Sequence, residues 1–230
     1  MIYTEHISDV RRAIAECGRD VTVVAAVKMQ TVETVDELMR LAPDFVLGEN
    51  RVQELTAKYN PAYRWHFIGQ LQTNKVKYII DKVELIHSLD RTELAEEIVK
   101  QAAKHGKTQA CLVEVNMGGE LSKGGVSPDK AADFVKSLKG VEGIRIEGLM
   151  SVLPNLGDCA ELRSMYADLK SLYDEISEIG QDNAEIKYLS AGMSNDYEIA
   201  LEYGANVIRL GRTLFGERIY PADVNRREER

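Results

Sequence analysis

The chain has 230 residues, 44% hydrophobic and 29% charged, with 29 basic and 37 acidic residues and a formal net charge of −8. That composition supports a folded chain with a sizeable core. No Lys/Arg cluster ahead of the C-terminal tail offers a nucleic-acid face, and no stretch approaches the roughly 18 apolar residues of a membrane span.

An amphipathic helix is expected over Ile2–Cys17, ended by Gly18. No basic-then-apolar leader opens the chain, so a cytoplasmic location is expected. Eight strand-like segments follow: Val21–Val27, Phe45–Leu47, Trp65–Ile68, Leu85–His87, Ala110–Val115, Ile144–Met150, Ile186–Leu189 and Val207–Leu210. Helical patterns lie between them. Thr31 precedes one with Val32, Val35, Leu38 and Met39 on a single face. Asp90 is read as an N-cap, with Glu93 completing a capping box and Leu94, Ala95, Ile98, Val99, Ala102 and Ala103 forming the apolar stripe. Gly106 would end that helix. Pro128 suits the first helical position after Ser127. A longer helix is expected from about Cys159 to Ile179, and the tail over 221–230 is expected to be flexible.

Strands alternating with helices imply parallel pairing and right-handed crossovers. Eight such units in 230 residues predict an α/β fold, a TIM (β/α)8 barrel in one domain, with an extra N-terminal helix. An open doubly wound sheet is the alternative, since segments as short as Phe45–Leu47 are easily miscounted. No G-x-G-x-x-G follows the first strand, which argues against a dinucleotide site. The three cysteines, Cys17, Cys111 and Cys159, form no CxxC pair, and the four histidines, His6, His66, His87 and His105, have no ligand spacing. Neither a disulfide framework nor a metal site is expected, and Cys111 reads as a core residue.

Barrel sites form at the carboxyl ends of the strands. Lys28 ends the first, nearly unbroken apolar strand. Two readings stay open there: an ammonium that snorkels to water, or a desolvated amine ready to form a Schiff base. The loop after strand seven, Leu189–Asp196, carries Ser190, Gly192, Met193, Ser194 and Asn195. The loop after strand eight carries Arg209, Gly211, Arg212, Thr213 and Gly216. Glycines, hydroxyls and outward N–H groups at these two positions suit a phosphate, although each glycine could equally serve a turn and Ser194 or Asn195 a helix cap. An imine-forming amine beside a phosphate cradle suggests pyridoxal phosphate (PLP) or a Schiff-base aldolase acting on a sugar phosphate. Arg209, placed to reach a pyridine nitrogen, favours PLP.

Several blocks together carry a resemblance. They are Ala25–Lys28, Leu47–Glu54, Trp65–Lys75, Val115-Asn116 with Ser122–Gly125, Gly148–Met150, Leu189–Asp196, and Arg209–Gly211 through Phe215–Arg218. The chain resembles the pyridoxal phosphate homeostasis proteins (the proline synthase co-transcribed family) from about residue 2 to Tyr220. The resemblance implies a fold-type III barrel like the N-terminal domain of alanine racemase, with PLP held as a Schiff base on Lys28. It places Ser190, Ser194, Gly211 and Thr213 around the phosphate, Arg209 beside the pyridine and Asn50 near the ring; Met193 and Arg212 belong to the same two loops and are counted as cofactor-binding. It further implies PLP homeostasis without established turnover and a monomer or weak dimer; PLP-dependent apoenzymes are weighed as partners, with delivery of the cofactor to them left open.

The chain departs from the family pattern at Val27-Lys28-Met29-Gln30-Thr31, where members often have Ser-Lys-Thr-Lys-Pro, so a second lysine is missing. Arg212 replaces a common Thr or Ser. Glu49 is open between a general base and a partner for Lys75; His66 is read as a packing residue, and Trp65, Phe67 and Ile68 as core or mouth lining. The functions weighed are cofactor homeostasis, amino-acid racemisation and aldol chemistry. Racemisation needs an acid/base group on each face of the substrate, and in alanine racemase one of them comes from a second domain that is not expected here.

Overall fold

Eight short strands close on themselves in chain order, each parallel to the next, with β8 returning to pair with β1. The strands are β1 (Thr22–Ala26), β2 (Val46–Glu49), β3 (Trp65–Phe67), β4 (Leu85–Leu89), β5 (Gln109–Glu114), β6 (Ile144–Met150), β7 (Ala184–Ser190) and β8 (Val207–Leu210). The helices are α1 (Thr4–Cys17), α2 (Val32–Leu41), α3 (Val52–Lys58), α4 (Thr92–Lys104), α5 (Pro128–Ser137), α6 (Cys159–Ser177), α7 (Tyr197–Glu202) and α8 (Arg212–Phe215), with a 3-10 turn over Thr73–Tyr78. This computed structural model describes residues 2–120, 123–156 and 159–217. Ser122, Arg218, Tyr220 and the 221–230 tail lie outside the described residues. The β8–β1 pairing closes the sheet and removes the open-sheet alternative.

Side chains alternate along the strands between two cores, with register shifts in the β4–β5, β5–β6 and β6–β7 pairs. Outward residues such as Val23, Ala25, Leu47, Ile208 and Leu210 join the large cluster under the helices. Inward residues form two smaller clusters, Val24–Val46–Val207 and Leu85–Ala110–Leu112–Met150. The same alternation turns Arg209 inward above Val207, His87 above Leu85, and Glu114 above Leu112. Polar side chains thus sit inside the barrel at its carboxyl end, on top of an apolar plug. At Gly148 the strands touch: φ is 146°, and a Cβ there would lie 1.8 Å from Tyr188 O.

Helix termini follow the sequence at some positions and not at others. Gly18 adopts the left-handed conformation at φ 65° and ends α1. Thr31 Oγ1 accepts from Thr34 N–H at 3.3 Å and caps α2. Pro128 takes the first turn of α5. Asp90 is not the cap of α4. Arg91, extended at φ −159°, precedes the helix without a side-chain cap, and the Asp90 carboxylate pairs with Arg91 at 2.5 Å instead. The ion pair draws Asp90 away from the helix N–H groups.

Candidate functional site

The turn that carries Lys28 and the loop after β8 are neighbours. β1 and β8 pair with Ala25 opposite Leu210, so the chain leaves β1 toward Lys28 from beside the start of the Gly211 loop. A Cβ on Gly211 would lie 3.6 Å from Ala26 Cβ, so the two segments are in contact. Lys28, Asn50, Ser194, Gly211 and Thr213 are half-buried. At this rim the N–H groups of Gly211 and Thr213 both donate to Ser194 Oγ, at 3.3 and 3.1 Å. Ser194 therefore ties the two loops together and does not cap α7, which follows Asp196. Arg212 is exposed and donates to Asn195 Oδ1. Met193 is exposed, and its N–H donates to Asp196 Oδ1 at 2.7 Å. Gly192, at φ 90°, lets the loop pass α7; a Cβ would meet Ala200 Cβ at 2.6 Å.

Below the rim lies a buried polar layer. Arg209 donates from Nη1 to Ser190 O at 2.8 Å and Ser190 Oγ at 2.7 Å, and from Nη2 to Ser151 O at 2.8 Å. Ser190 Oγ is 3.0 Å from His87 Nδ1, and His87 Nε2 is 3.0 Å from His66 Nδ1. Ser190 Oγ accepts from Arg209 and shares a second hydrogen bond with His87, which in turn shares one with His66, so the three side chains form one continuous chain. Burial lowers the pKa of His66 to about 3 and that of His87 well below its usual value, so both rings are neutral. The Ser190 hydroxyl is thus committed to Arg209 and His87 rather than to the Ser194–Thr213 rim.

Glu114, at the end of β5, is buried, and its Oε2 has no hydrogen-bond partner among the described residues. Burial pushes its carboxyl up to about 7, Asp90 adds to the rise and Arg209 opposes it. Asn50 Oδ1 and Ser88 Oγ are likewise buried without a partner among the described residues. Glu49 does not pair with Lys75, whose ammonium sits over the Tyr78 ring at 5.7 Å. Its partner is Lys58, at 2.6 Å, one turn after Glu54 on α3. Glu114 and Lys58 were not singled out in the sequence, whereas Ser88 and Ser151 stand there among the polar residues at which the strands stop. A carboxylate closing the apolar run Ala110–Val113 and the Glu54–Lys58 spacing of four were the available signals.

The mouth therefore gathers an amine, two converging backbone N–H groups, a fixed guanidinium and orphaned polar atoms. A family model described as "Alanine racemase, N-terminal domain" matches residues 8–219. A pyridoxal phosphate homeostasis protein of Aquifex aeolicus is 46% identical over 179 residues, covering 76% of this chain and 78% of that protein. The chain belongs to the pyridoxal phosphate homeostasis protein family. A relative of the same description in Vibrio cholerae is 31% identical over 228 residues, covering 94% and 95% of the two chains. Among solved structures, PipY of Synechococcus elongatus with PLP bound superposes with a TM-score of 0.82 at 28% identity, covering 93% of this chain and 99% of that one. Alanine racemase of Clostridium difficile shares the fold, with a TM-score of 0.70 at 18% identity over 94% of this chain and 61% of the racemase. Among the described residues no helix is long and apolar enough to cross a membrane.

The residues present suit a flat aldehyde bearing a phosphate. Asn50 Oδ1, buried and unmatched, awaits a donor. Gly211 and Thr213 N–H groups converge on one oxygen, as they would on a phosphate oxygen.

Proposed function

We propose that the chain binds PLP in the barrel mouth, attaches it covalently through Lys28, and acts in PLP homeostasis as a holder of the cofactor and not as a catalyst. The observation that carries this reading is the contact between Ala26, at the end of β1 and two residues before Lys28, and Gly211 of the Ser194–Gly211–Thr213 rim across the β1–β8 pair. Gly211, Thr213, Ser194 and exposed Arg212 would take the phosphate, with Met193 flanking the loop and Asn50 beside the ring. Arg209 would face the pyridine nitrogen, held in place by Ser151 and Ser190. When bound, PLP supplies an aldehyde that condenses reversibly with amines and a ring that withdraws electrons. A guanidinium donates but does not give up its proton, so the nitrogen it faces stays unprotonated, which weakens that electron withdrawal and favours holding over turnover. Reversible attachment also suits release to PLP-dependent apoenzymes.

The purified protein should absorb near the visible edge, and borohydride should fix the cofactor on Lys28. A colourless protein, or label on another lysine, refutes the assignment. Lys28→Ala should fold normally and trap no cofactor. No exchange of the α-hydrogen of L-alanine in deuterated water is expected; exchange at a racemase-like rate would overturn the holding role.

A further inference from the structure

Two hydrogen bonds bracket Lys28. The carbonyl before it, Val27 O, accepts from Lys58 Nζ at 2.8 Å, and the N–H after it, on Met29, donates to Glu54 Oε2 at 2.6 Å. The two anchors are themselves joined: Lys58 Nζ also donates to Glu54 Oε2 at 3.0 Å and to Glu49 Oε1 at 2.6 Å. The other Glu49 oxygen, Oε2, accepts from Asn50 N–H at 3.1 Å. All three donor positions of the ammonium are taken. A single cluster thus ties the backbone on both sides of Lys28 to the end of β2 and to α3.

Met29 explains what the cluster resists. Its φ is 63°, which makes it the only non-glycine residue with positive φ among the described residues. A side chain there crowds the following carbonyl. Met29 is 48% exposed, so packing does not hold it in that conformation. The turn is closed by Gln30 N–H donating to Val27 O at 3.0 Å, and the charge-assisted bond from the Met29 N–H to Glu54 adds to it from outside the turn. A buried ion pair is by itself weak grounds for any role beyond folding. Here two of its contacts fall on the neighbours of one residue, whose backbone is strained.

We propose that Lys58, Glu49 and Glu54 are positioning residues that lock the Lys28 turn in its strained form, so that the amine is presented before the cofactor arrives. This rests on the reading of Lys28 as the attachment point. Without the clamp the turn relaxes, and binding must restore it, which weakens PLP affinity about tenfold (about 1.4 kcal/mol) and slows attachment.

The test compares three proteins with wild type by PLP titration in the visible band, by the rate of borohydride-trapped label on Lys28, and by melting of the cofactor-free form. Glu54→Met removes the Met29 bond. Glu49→Gln with Lys58→Met removes the Val27 bond without stranding a buried charge. Glu54→Met with Met29→Gly removes the bond but lets glycine hold positive φ unaided. Expected are folded cofactor-free proteins, about tenfold weaker and slower attachment in the first two, and recovery in the third. Wild-type affinity and rate in the folded variants refute the clamp, as does a loss that Met29→Gly does not recover. If the double variant unfolds, Glu54→Met and its rescue decide alone. Wild type labelled elsewhere than Lys28 defeats the attachment reading itself, and that result is visible separately.

Discussion

Replacing Glu114 by Gln should stabilise the cofactor-free protein at pH 8 and leave it unchanged at pH 4. The Glu114 side chain closes β5 inside the barrel, only 9% of the residue is exposed, and its Oε2 has no partner among the described residues. Burial, reinforced by Asp90 and opposed by Arg209, raises its pKa from the usual 4.5 to about 7. The folded protein therefore holds this proton more tightly than the unfolded chain does. Below the unfolded value both states are protonated and the site contributes its full stability. Between the two values the unfolded chain loses its proton while the fold keeps it, so stability falls as pH rises, and the loss is complete above about 7. Each pH step in that window is worth about 1.4 kcal/mol, which gives about 3 kcal/mol in all. For a domain of this size that is a rise in Tm of roughly 6–12 °C for the glutamine variant at pH 8. The assay is thermal melting of both proteins across this range. His66 and His87, neutral in the fold, lose stability as pH falls below their usual 6.5, but they do so in both proteins and cancel in the difference. Parallel Tm profiles would refute the reasoning. A variant less stable than wild type at pH 8 would show instead that Arg209 makes the ionised carboxylate net favourable.

Other outcomes follow from local geometry. Gly148→Ala places a methyl 1.8 Å from Tyr188 O at φ 146°, which no rotamer relieves; it should cost more than about 4 kcal/mol, read as loss of the cooperative melt. Thr31→Ala removes the α2 cap and should cost about 1 kcal/mol by chemical denaturation, whereas Asp90→Ala should not show the loss of a helix cap, since Asp90 caps nothing.

The parts of the site that local pattern could mark are those where a strand's apolar run stops. Lys28 breaks such a run, and the glycines and hydroxyls after β7 and β8 stand out because little else is polar there. The ring of eight strands was legible for the same reason: Ile144–Met150 and Val207–Leu210 are bounded as expected, and the others differ by a few residues at their ends. The hydrogen bonding of the interior polar layer was hidden, although Ser190 and Arg209 were named, because inward positions of short strands carry no period long enough to read. His66 and His87 are separated by 21 residues and Ser190 by a further 103, and only barrel closure brings them within hydrogen-bond range. The Asp90 cap failed for a different reason. The motif supplied both residues of a capping box, but an adjacent arginine offered the carboxylate a stronger partner, and a local rule gave way to a charge one residue away. Glu49 shows the converse. Its acid looked available for chemistry, yet the lysine nine positions on neutralises it against α3, so its contribution passes through the backbone it holds. The groups that would touch a ligand therefore surface in the sequence as interruptions, while the groups that hold them in place look like ordinary charged helix residues until the barrel closes.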